Sequence, residues 1–486
     1  MTQKELIDLL KDNVIKTQVY SDKKDEEILD ITYNSKSCKY KTAFFAKGAH
    51  FKSEYIEDAI NHGATLIISE KEYETKNAGL VVVKDVRQAM VTVAESFFDK
   101  AYEKLKVIGI TGTKGKTTTA TYLNNILNEY VQTRTGLLST VETYTKTRCE
   151  ESHLSTPEAI ELQRYIKEVS DNDLKFITME VSSQAYKTKR IDKMPFDIGI
   201  FLNISEDHIS PSEHPNFTDY LNSKLEFIKN SKIVIINSKT DYLESVLEAA
   251  KNAKKIITYG DESKKNTADY YYTNVRKENG FLTFEVFHGN SYETYSTKMV
   301  GVFNIENTLA SIIAAKELNV EYEYIKRGIL ETSVSGRMNV FTKEDKTIIV
   351  DYAHNKLSFE KFFEAVKMEY PNADIFAVFG APGGKAYGRR RDMAEVASKY
   401  CKKIYITADD PQYEEIKDIC LQISTYVTVD YCIIEDRQEA IREAFNAMKK
   451  GDVLCLLAKG EDKYQQVCGK FEEYVSDIGM AKILTE

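Results

Sequence analysis

Short apolar runs separated by amphipathic segments recur along most of the chain. In residues 1–100 the runs are brief and alternate with helical patterns, which predicts a small mixed α/β domain. In residues 101–333 each run ends at polar residues before a helix or loop, as in a mostly parallel sheet, while residues 270–297 alternate polar and aromatic positions and predict added antiparallel hairpins. The alternation restarts in residues 334–486 and predicts a third, Rossmann-like domain. The runs lie at 42–46, 65–69, 80–83, 107–110, 176–180, 198–203, 233–237, 347–351, 374–380, 403–407 and 453–457.

Composition and charge exclude several classes of protein. The chain has 486 residues, 42% hydrophobic and 29% charged, which is typical of a folded globular protein. Acidic residues outnumber basic ones by 75 to 66, so a broad nucleic-acid surface gains no support. No signal-peptide core opens the chain and no stretch approaches the roughly 20 apolar residues that span a membrane, so we expect a cytoplasmic protein without membrane insertion. The seven cysteines are scattered singly, and we expect buried thiols.

A glycine-rich segment at residues 112–118 carries the sharpest chemical signal. It follows an apolar run and precedes a helical pattern. Gly112 and Gly115 let the backbone turn its N–H groups toward phosphate oxygens, Lys116 can reach the β- and γ-phosphates, and Thr117 can offer a hydroxyl to Mg²⁺. Ile110 departs from the full phosphate-loop pattern, but a turn without a ligand has little use for a Lys-Thr pair. We therefore predict ATP binding in a P-loop ATPase-like central domain, by Gly112, Thr113, Lys114, Gly115, Lys116, Thr117 and Thr118.

Two residues at predicted strand ends could hold the metal that accompanies ATP. Glu180 ends one apolar run and His208 follows another. Taken alone, His208 reads as an ordinary loop histidine and Glu180 has no favoured role. Because the carboxyl ends of parallel strands share one edge of a sheet, both side chains would meet the phosphate loop there. We therefore predict that Glu180 and His208 are metal ligands.

Nine short segments, in this order, resemble the Mur ligase family, the ATP-dependent amide-forming enzymes of peptidoglycan precursor synthesis. Within it, the chain is most similar to the tripeptide synthetases that act on UDP-N-acetylmuramoyl-L-alanyl-D-glutamate. Each segment is short, but nine together span almost the whole chain and are highly specific. They lie at residues 112–118, 155–158, 179–183, 203–208, 220–224, 303–307, 335–338, 350–354 and 459–460.

The resemblance implies roles for individual residues around ATP and two Mg²⁺ ions. Lys224 matches the family lysine that carries a carbamate, N6-carboxylysine, although its own sequence context favours an ordinary solvated helix lysine. The implied catalytic residues are Lys116, Lys224, Glu180 and His208, and the implied metal ligands are Thr117, Glu180, His208 and Lys224. The implied nucleotide contacts beyond the phosphate loop are Asn304, Asn307, Arg337, Asp351 and His354.

The same resemblance implies two further groups of substrate-binding residues. The nucleotide-sugar peptide would contact Ser35, Thr156, Ser182 and Arg190, although Ser182 also fits a plain helix cap. The incoming amino acid would bind near Lys385, Asp410, Gln412 and Asp462. Lys385 stands where the family usually has arginine, and Gln412 replaces the arginine typical of enzymes that select diaminopimelate. The loss of that bidentate partner favours L-lysine or another diamino acid, whose amines Asp410 and Asp462 could meet.

The implied reaction is ATP-dependent addition of an amino acid to the D-glutamate of UDP-N-acetylmuramoyl-L-alanyl-D-glutamate through an acyl phosphate. Its partners would be that UDP-muramoyl dipeptide, ATP and a free amino acid, and we expect a monomer. Two alternatives stay open at this point. One is a specialised paralogue, or a folate or polyglutamate ligase, with a different acceptor. The other is a non-catalytic nucleotide-binding protein, which the presence of Lys116, Glu180, His208 and Lys224 disfavours.

Overall fold

The computed structural model describes residues 1–19, 24–48, 51–152, 154–207, 209–210 and 213–486. The first sheet has five strands in the order β1-β5-β4-β3-β2, parallel except for β1 against β5. Alternate residues of its inner strands enter two different apolar clusters, one on each face. Its elements are α1 (Gln3–Leu9), β1 (Val14–Gln18), β2 (Asp30–Thr32), β3 (Thr42–Phe45), α2 (Glu54–Asn61), β4 (Ala64–Ser69), β5 (Gly79–Val83) and α3 (Val86–Phe97).

The second sheet has eleven strands in the order β16-β15-β14-β13-β12-β11-β6-β10-β7-β8-β9. The seven strands from β14 to β7 in this order are parallel to one another, and antiparallel strands extend the sheet at both edges. Its strands are β6 (Lys106–Thr111), β7 (Gly136–Leu138), β8 (Thr143–Tyr144), β9 (Cys149–Glu150), β10 (Phe176–Glu180), β11 (Phe196–Phe201), β12 (Ser231–Asn237), β13 (Lys255–Asp261), β14 (Tyr270–Glu278), β15 (Phe281–His288) and β16 (Ser291–Thr297). Its helices are α4 (Lys116–Val131), α5 (Ala159–Asp171), α6 (Ser183–Lys187), α7 (Phe217–Lys229), α8 (Leu243–Ala250), α9 (Phe303–Glu317) and α10 (Tyr322–Glu331).

The third sheet has six strands in the order β17-β18-β22-β19-β20-β21, all parallel except β17. A separate hairpin, β23 (Tyr464–Val467) and β24 (Lys470–Glu473), follows it. The other strands are β17 (Asn339–Lys343), β18 (Lys346–Asp351), β19 (Ile375–Phe379), β20 (Lys403–Ile406), β21 (Asp430–Ile433) and β22 (Val453–Leu457). The helices are α11 (Lys356–Glu369), α12 (Gly388–Tyr400), α13 (Ile416–Ser424), α14 (Arg437–Ala447) and α15 (Asp477–Thr485).

This architecture confirms the predicted three-part α/β fold and the hairpins within residues 270–297. Domain boundaries at residues 100 and 333 stay predictions. None of the described helices is both long and apolar enough to cross a membrane. The expectation of buried thiols is wrong for Cys149 and Cys468, which are exposed, and Cys432 is only half-buried. Cys149 lies on β9, the last strand at one sheet edge, and Cys468 lies in the turn between β23 and β24, where little protein covers a side chain.

Candidate active site

The glycine-rich loop connects β6, an inner strand of the second sheet, to α4. Gly112 and Gly115 have φ of 158° and 88°, and α4 begins directly after Gly115. A Cβ on Gly115 would overlap Oδ1 of Asn307, so this glycine is required both by its backbone conformation and by a neighbouring side chain. The loop therefore presents the first N–H groups of α4 at the carboxyl edge of the sheet, as an anion site requires.

Two lysine side chains converge on this loop. Lys116 Nζ donates to the carbonyl oxygens of Gly112 at 2.9 Å and Thr113 at 3.3 Å. Lys224, on α7, is 2% exposed and its Nζ donates to the same Gly112 oxygen at 3.0 Å. The local sequence favours an ordinary solvated helix lysine, and that interpretation is wrong, because α7 packs the Lys224 side chain beneath the loop. Burial lowers the pKa of Lys224 well below its ordinary value, and the nearby Lys116 and Lys114 lower it further.

Polar groups missed by the sequence analysis hold the loop in shape. The amide of Asn203, just beyond β11, donates to the Lys114 carbonyl at 3.1 Å and accepts from the Lys114 N–H at 2.9 Å. The hydroxyls of Thr113 and Tyr220 lie 2.9 Å apart. Both Asn203 and Tyr220 belong to segments that carried the family resemblance, which is the signal that could have found them.

Glu180 ends β10, which pairs with β6 so that Glu180 faces Ile110 in the register. Its buried carboxylate accepts from the N–H of Thr140 at 2.7 Å and from the hydroxyl of Thr140 at 3.0 Å. Thr117 and Thr118 are buried in the first turn of α4. A carboxylate and a hydroxyl at one sheet edge are the hard oxygen donors that Mg²⁺ prefers, so these residues fit that ion.

His208, the other predicted metal ligand, lies outside the described residues. Among the residues that are described, no group of three or more His, Cys, Asp or Glu side chains is arranged to hold a metal ion. A magnesium ion bound here would therefore need further oxygen ligands from phosphate groups and water, which is how Mg²⁺ is usually held beside nucleotides.

Residues of the third sheet's domain reach the phosphate loop directly. His354 Nε2 lies 3.0 Å from Lys114 Nζ, and its Nδ1 lies 2.7 Å from the Tyr352 carbonyl oxygen. Burial lowers the pKa of His354 well below its ordinary value, and Lys114 lowers it further, so the neutral ring accepts from the ammonium. Burial also lowers the pKa of Lys114 to about 8. The predicted nucleotide residue His354 is thus brought against the loop.

Asp207 joins the loop to the third domain and was missed by the sequence analysis. Its buried carboxylate lies 3.5 Å from Lys114 Nζ, 2.5 Å from Arg389 Nη2 and 2.7 Å from the Asn355 amide nitrogen, which donates to it. Arg389 lies 182 residues after Asp207 in the sequence. No local pattern indicates a contact across that separation.

The other predicted nucleotide residues lie in two groups. Asp351 ends β18, and its carboxylate accepts from the N–H groups of Met338 and Ala353 at 2.9 and 2.7 Å. Burial raises the pKa of Asp351, and the nearby Arg337 partly opposes this. On α9, Asn304 donates to the Val300 carbonyl at 2.7 Å. Its Oδ1 accepts from the Asn307 amide at 3.3 Å.

Three of the four predicted sugar-peptide residues come together. The Thr156 hydroxyl donates to the Glu180 carbonyl at 3.0 Å and accepts from the Ser182 N–H at 3.0 Å, while Arg190 donates to the Thr156 carbonyl at 2.9 Å. Arg190 also pairs with Glu158 at 3.2 Å. Ser35 is buried at the start of a short 3₁₀ helix after β2. A set missed by the sequence analysis, Lys47 and Arg87 of the first domain, also faces Glu158, at 2.5 and 3.6 Å.

Three aspartates surround one buried lysine at the carboxyl edge of the third sheet. Lys459 Nζ lies 2.9 Å from Asp410, 3.4 Å from Asp462 and 4.0 Å from Asp409. Burial raises the pKa of Asp462 to about 6 and also raises that of Asp409. When all are ionised, the three carboxylates outnumber the Lys459 ammonium, and Lys385, whose charge lowers the pKa of Asp409, offsets only part of the excess.

The remaining predicted acceptor residues differ in their surroundings. Gln412 is engaged by the β23–β24 hairpin, because its N–H donates to the Gln466 carbonyl at 2.9 Å and its side-chain amide pairs with that of Gln466. Lys385 is exposed. The structure therefore groups Asp410, Asp462 and Gln412 around the hairpin and leaves Lys385 on the surface beside them.

The chain is similar to known proteins over most of its length. Residues 110–315 match the Mur ligase middle domain, and residues 336–460 match the Mur ligase, glutamate ligase domain. A UDP-N-acetylmuramoyl-L-alanyl-D-glutamate--L-lysine ligase of Streptococcus agalactiae is 39% identical over 93% of this chain and 91% of its own. The protein of that name from Enterococcus faecalis is 36% identical over 94% and 91%.

Solved structures share the fold. A UDP-N-acetylmuramoyl-L-alanyl-D-glutamate--2,6-diaminopimelate ligase superimposes with a TM-score of 0.67 at 22% identity, covering 100% of this chain and 98% of its own. The MurF ligase from Thermotoga maritima in complex with ADP gives a TM-score of 0.64 at 19% identity, covering 89% and 94%.

Proposed function

Because the chain belongs to the Mur ligase family, we propose that it adds L-lysine, or another diamino acid, to the D-glutamate of UDP-N-acetylmuramoyl-L-alanyl-D-glutamate. Membership makes it an ATP-dependent, amide-bond-forming ligase of peptidoglycan synthesis. The observation that supports the acceptor is the excess negative charge around Lys459. Since ATP and a UDP-linked sugar are cytoplasmic metabolites, we place the reaction in the cytoplasm, and we expect a monomer in light scattering.

Amide formation needs an activated carboxyl group. The γ-carboxylate of D-glutamate attacks the γ-phosphorus of ATP, a P–O bond forms, and the bond to the leaving ADP oxygen breaks. The amine of the acceptor then attacks the acyl carbon, a C–N bond forms, phosphate leaves, and the amine loses a proton. In the first step, the positive charge of Lys116 offsets the negative charge of the phosphate oxygens near the loop. In the second step, the protein aligns the acceptor amine and excludes water.

Magnesium would be held by Thr117, Glu180 and His208, and it would supply charge neutralisation for the phosphoryl oxygens. Lys224 is buried beneath the loop, and burial holds its pKa well below its ordinary value, which favours the neutral amine over the ammonium. A neutral amine adds to CO₂ with loss of one proton, and the resulting carbamate would lie beside Lys116 and Lys114. We include this modification in the proposal, and a carbamate carbon signal after exchange with ¹³C-bicarbonate, absent in Lys224→Arg, tests it.

The acceptor site favours a cationic side chain over a second carboxylate. Asp410 and Asp462 face the space around Lys459, and a diamino acid brings an ammonium group to offset their charge. The extra carboxylate of diaminopimelate would be repelled by these aspartates. The side-chain amide of Gln412, which stands where diaminopimelate-selecting enzymes have arginine, already pairs with the side chain of Gln466. Lysine or ornithine is therefore the better acceptor.

The test is phosphate release from ATP and UDP-muramoyl dipeptide with lysine, ornithine, diaminopimelate or lanthionine offered separately. We expect lysine or ornithine to give the highest kcat/KM, and Asp410→Asn and Asp462→Asn each to raise the KM of that acceptor. Asp418→Asn, an exposed aspartate on α13, is the matched control and leaves that KM unchanged. A clear preference for diaminopimelate contradicts the acceptor proposal, and absence of turnover with every amino acid contradicts the ligase proposal.

A further inference from the structure

A buried arginine bridges the ends of two strands, one leading to Asp409 and Asp410 and the other leading to Lys459. Arg437 is the first residue of α14 and is 3% exposed. Its Nη1 donates to the Ala408 carbonyl at 3.1 Å and its Nη2 donates to the Leu457 carbonyl at 2.7 Å. Ala408 directly precedes Asp409, and Leu457 ends β22 two residues before Lys459. The guanidinium therefore spans strands β20 and β22, which are separated by β19.

Asp477 holds this guanidinium in place. Its fully buried carboxylate accepts from Arg437 Nε at 2.8 Å and from Nη2 at 2.6 Å, in the two-pronged geometry that only arginine provides. Burial alone would lower the pKa of Arg437, but the attraction of Asp477 outweighs it and raises that pKa above its ordinary value. The two hydrogen bonds fix the orientation of the guanidinium relative to Asp477, the first residue of the last helix, α15.

The loop after β22 has a strained backbone conformation that contacts from outside the loop must stabilise. Ala458 lies between Leu457 and Lys459 with φ of 85°, a left-handed conformation that strains a residue with a Cβ. Such a conformation persists only where neighbouring contacts secure it. The Arg437 bond to the Leu457 carbonyl secures the residue immediately before Ala458.

We propose that Arg437, held by Asp477, is a positioning residue that sets the spacing of the Asp409–Asp410 loop and the Lys459 loop and thereby the affinity for the amino-acid acceptor. The inference rests on the proposed function, because it assumes that the acceptor binds between these loops. In the described contacts Arg437 donates no hydrogen bond to the phosphate loop or to the Glu180 region, so we expect acyl phosphate formation to be unchanged when Arg437 is replaced.

The experiment compares three variants with the wild-type chain. Arg437→Lys keeps the charge but cannot reach both carbonyls and Asp477 together. The double variant Arg437→Met with Asp477→Leu replaces the buried pair with apolar groups, which restores stability in comparable buried pairs but leaves both carbonyls unbridged. Ile441→Ala, a buried truncation on the same helix, is the matched control for lost stability. Each is assayed for Tm, for acceptor KM, for ATP KM, and for acyl phosphate trapped with hydroxylamine in the absence of amino acid.

We expect Arg437→Lys to raise the acceptor KM about tenfold, the scale of one or two lost hydrogen bonds, with ATP KM and trapped acyl phosphate unchanged. Ile441→Ala lowers Tm without changing the acceptor KM. The double variant recovers only part of the lost Tm, because the Ala408 and Leu457 carbonyls stay without this donor, while its acceptor KM stays high. If Arg437→Lys does not fold, Asp477→Asn, which preserves the shape of the pair, is measured in the same way.

Three results overturn the inference. The first is a wild-type acceptor KM in a folded Arg437→Lys or Asp477→Asn protein. The second is a double variant in which the acceptor KM recovers together with Tm, because that result assigns the pair to stability alone. The third is a loss of acyl phosphate in proportion to the change in acceptor KM. Failure of the wild-type chain to form acyl phosphate would instead contradict the proposed function.

Discussion

Replacing Gly115 with alanine tests whether ATP binds to the phosphate loop in the conformation described. At φ of 88° a Cβ strains the backbone by about 1–2 kcal/mol. The same Cβ would overlap Asn307 Oδ1 and displace that side chain from Asn304, whose hydrogen bond contributes about 1 kcal/mol. The loop can relieve both by relaxing in the free protein. Restoring its shape then costs about 2–3 kcal/mol when ATP binds, which predicts about 30- to 150-fold weaker binding.

The assay is isothermal titration of the variant with ATP and Mg²⁺, beside Gly289→Ala as the matched control. Gly289 also has a left-handed φ, 58°, but nothing lies within 4 Å of a Cβ there, in the turn between β15 and β16. Gly289→Ala should therefore lose some stability and keep its ATP affinity. An ATP Kd for Gly115→Ala within twofold of wild type would refute the assignment of the loop, and an equal loss in both variants would show that the effect is not local.

Three further predictions concern the same region. Lys116→Ala should abolish turnover while the fold is retained in circular dichroism, and a near-normal rate would contradict its role. Because burial lowers the pKa of Lys114 to about 8 and a bound triphosphate raises it again, ATP binding at pH 8 should take up about half a proton at this residue. Uptake should be smaller at pH 6, where Lys114 is already charged. Calorimetric titrations in two buffers of different ionisation enthalpy measure the proton uptake, and Lys114→Met should lack the half proton assigned to Lys114. Equal uptake by the variant and the wild type would show that Lys114 is not the group that takes up the proton. Asp207→Asn should loosen the third domain from the loop, seen as a larger radius of gyration, and an unchanged radius would contradict the proposed link.

Some predictions from the sequence hold because they depend on local rules. The apolar runs predict strands because a strand buried on both faces must be continuously apolar, and β6, β10, β11, β12, β18, β19, β20 and β22 lie where those runs occur. Gly112 and Gly115 mark the phosphate loop because only glycine adopts its backbone readily. The carboxyl edge follows in turn, since parallel strands place their ends together.

The contacts that complete the candidate site depend on how distant segments pack. Lys224 is buried because α7 lies beneath the loop, and its own neighbours in sequence carry no sign of that. Asp207 meets Arg389, and Arg437 meets both Ala408 and Asp477, across separations over which no periodic pattern extends.

The sequence by itself determined the alternation of apolar runs and helical segments along the chain, the phosphate loop and, through its motifs, the family. Only the tertiary structure decided which charges face one another, as at Lys459, and which side chain fixes the distance between two strand ends, as at Arg437. The physical reason is range. Backbone conformation and apolar periodicity act between residues a few positions apart, whereas burial and ion pairing are properties of the packed molecule.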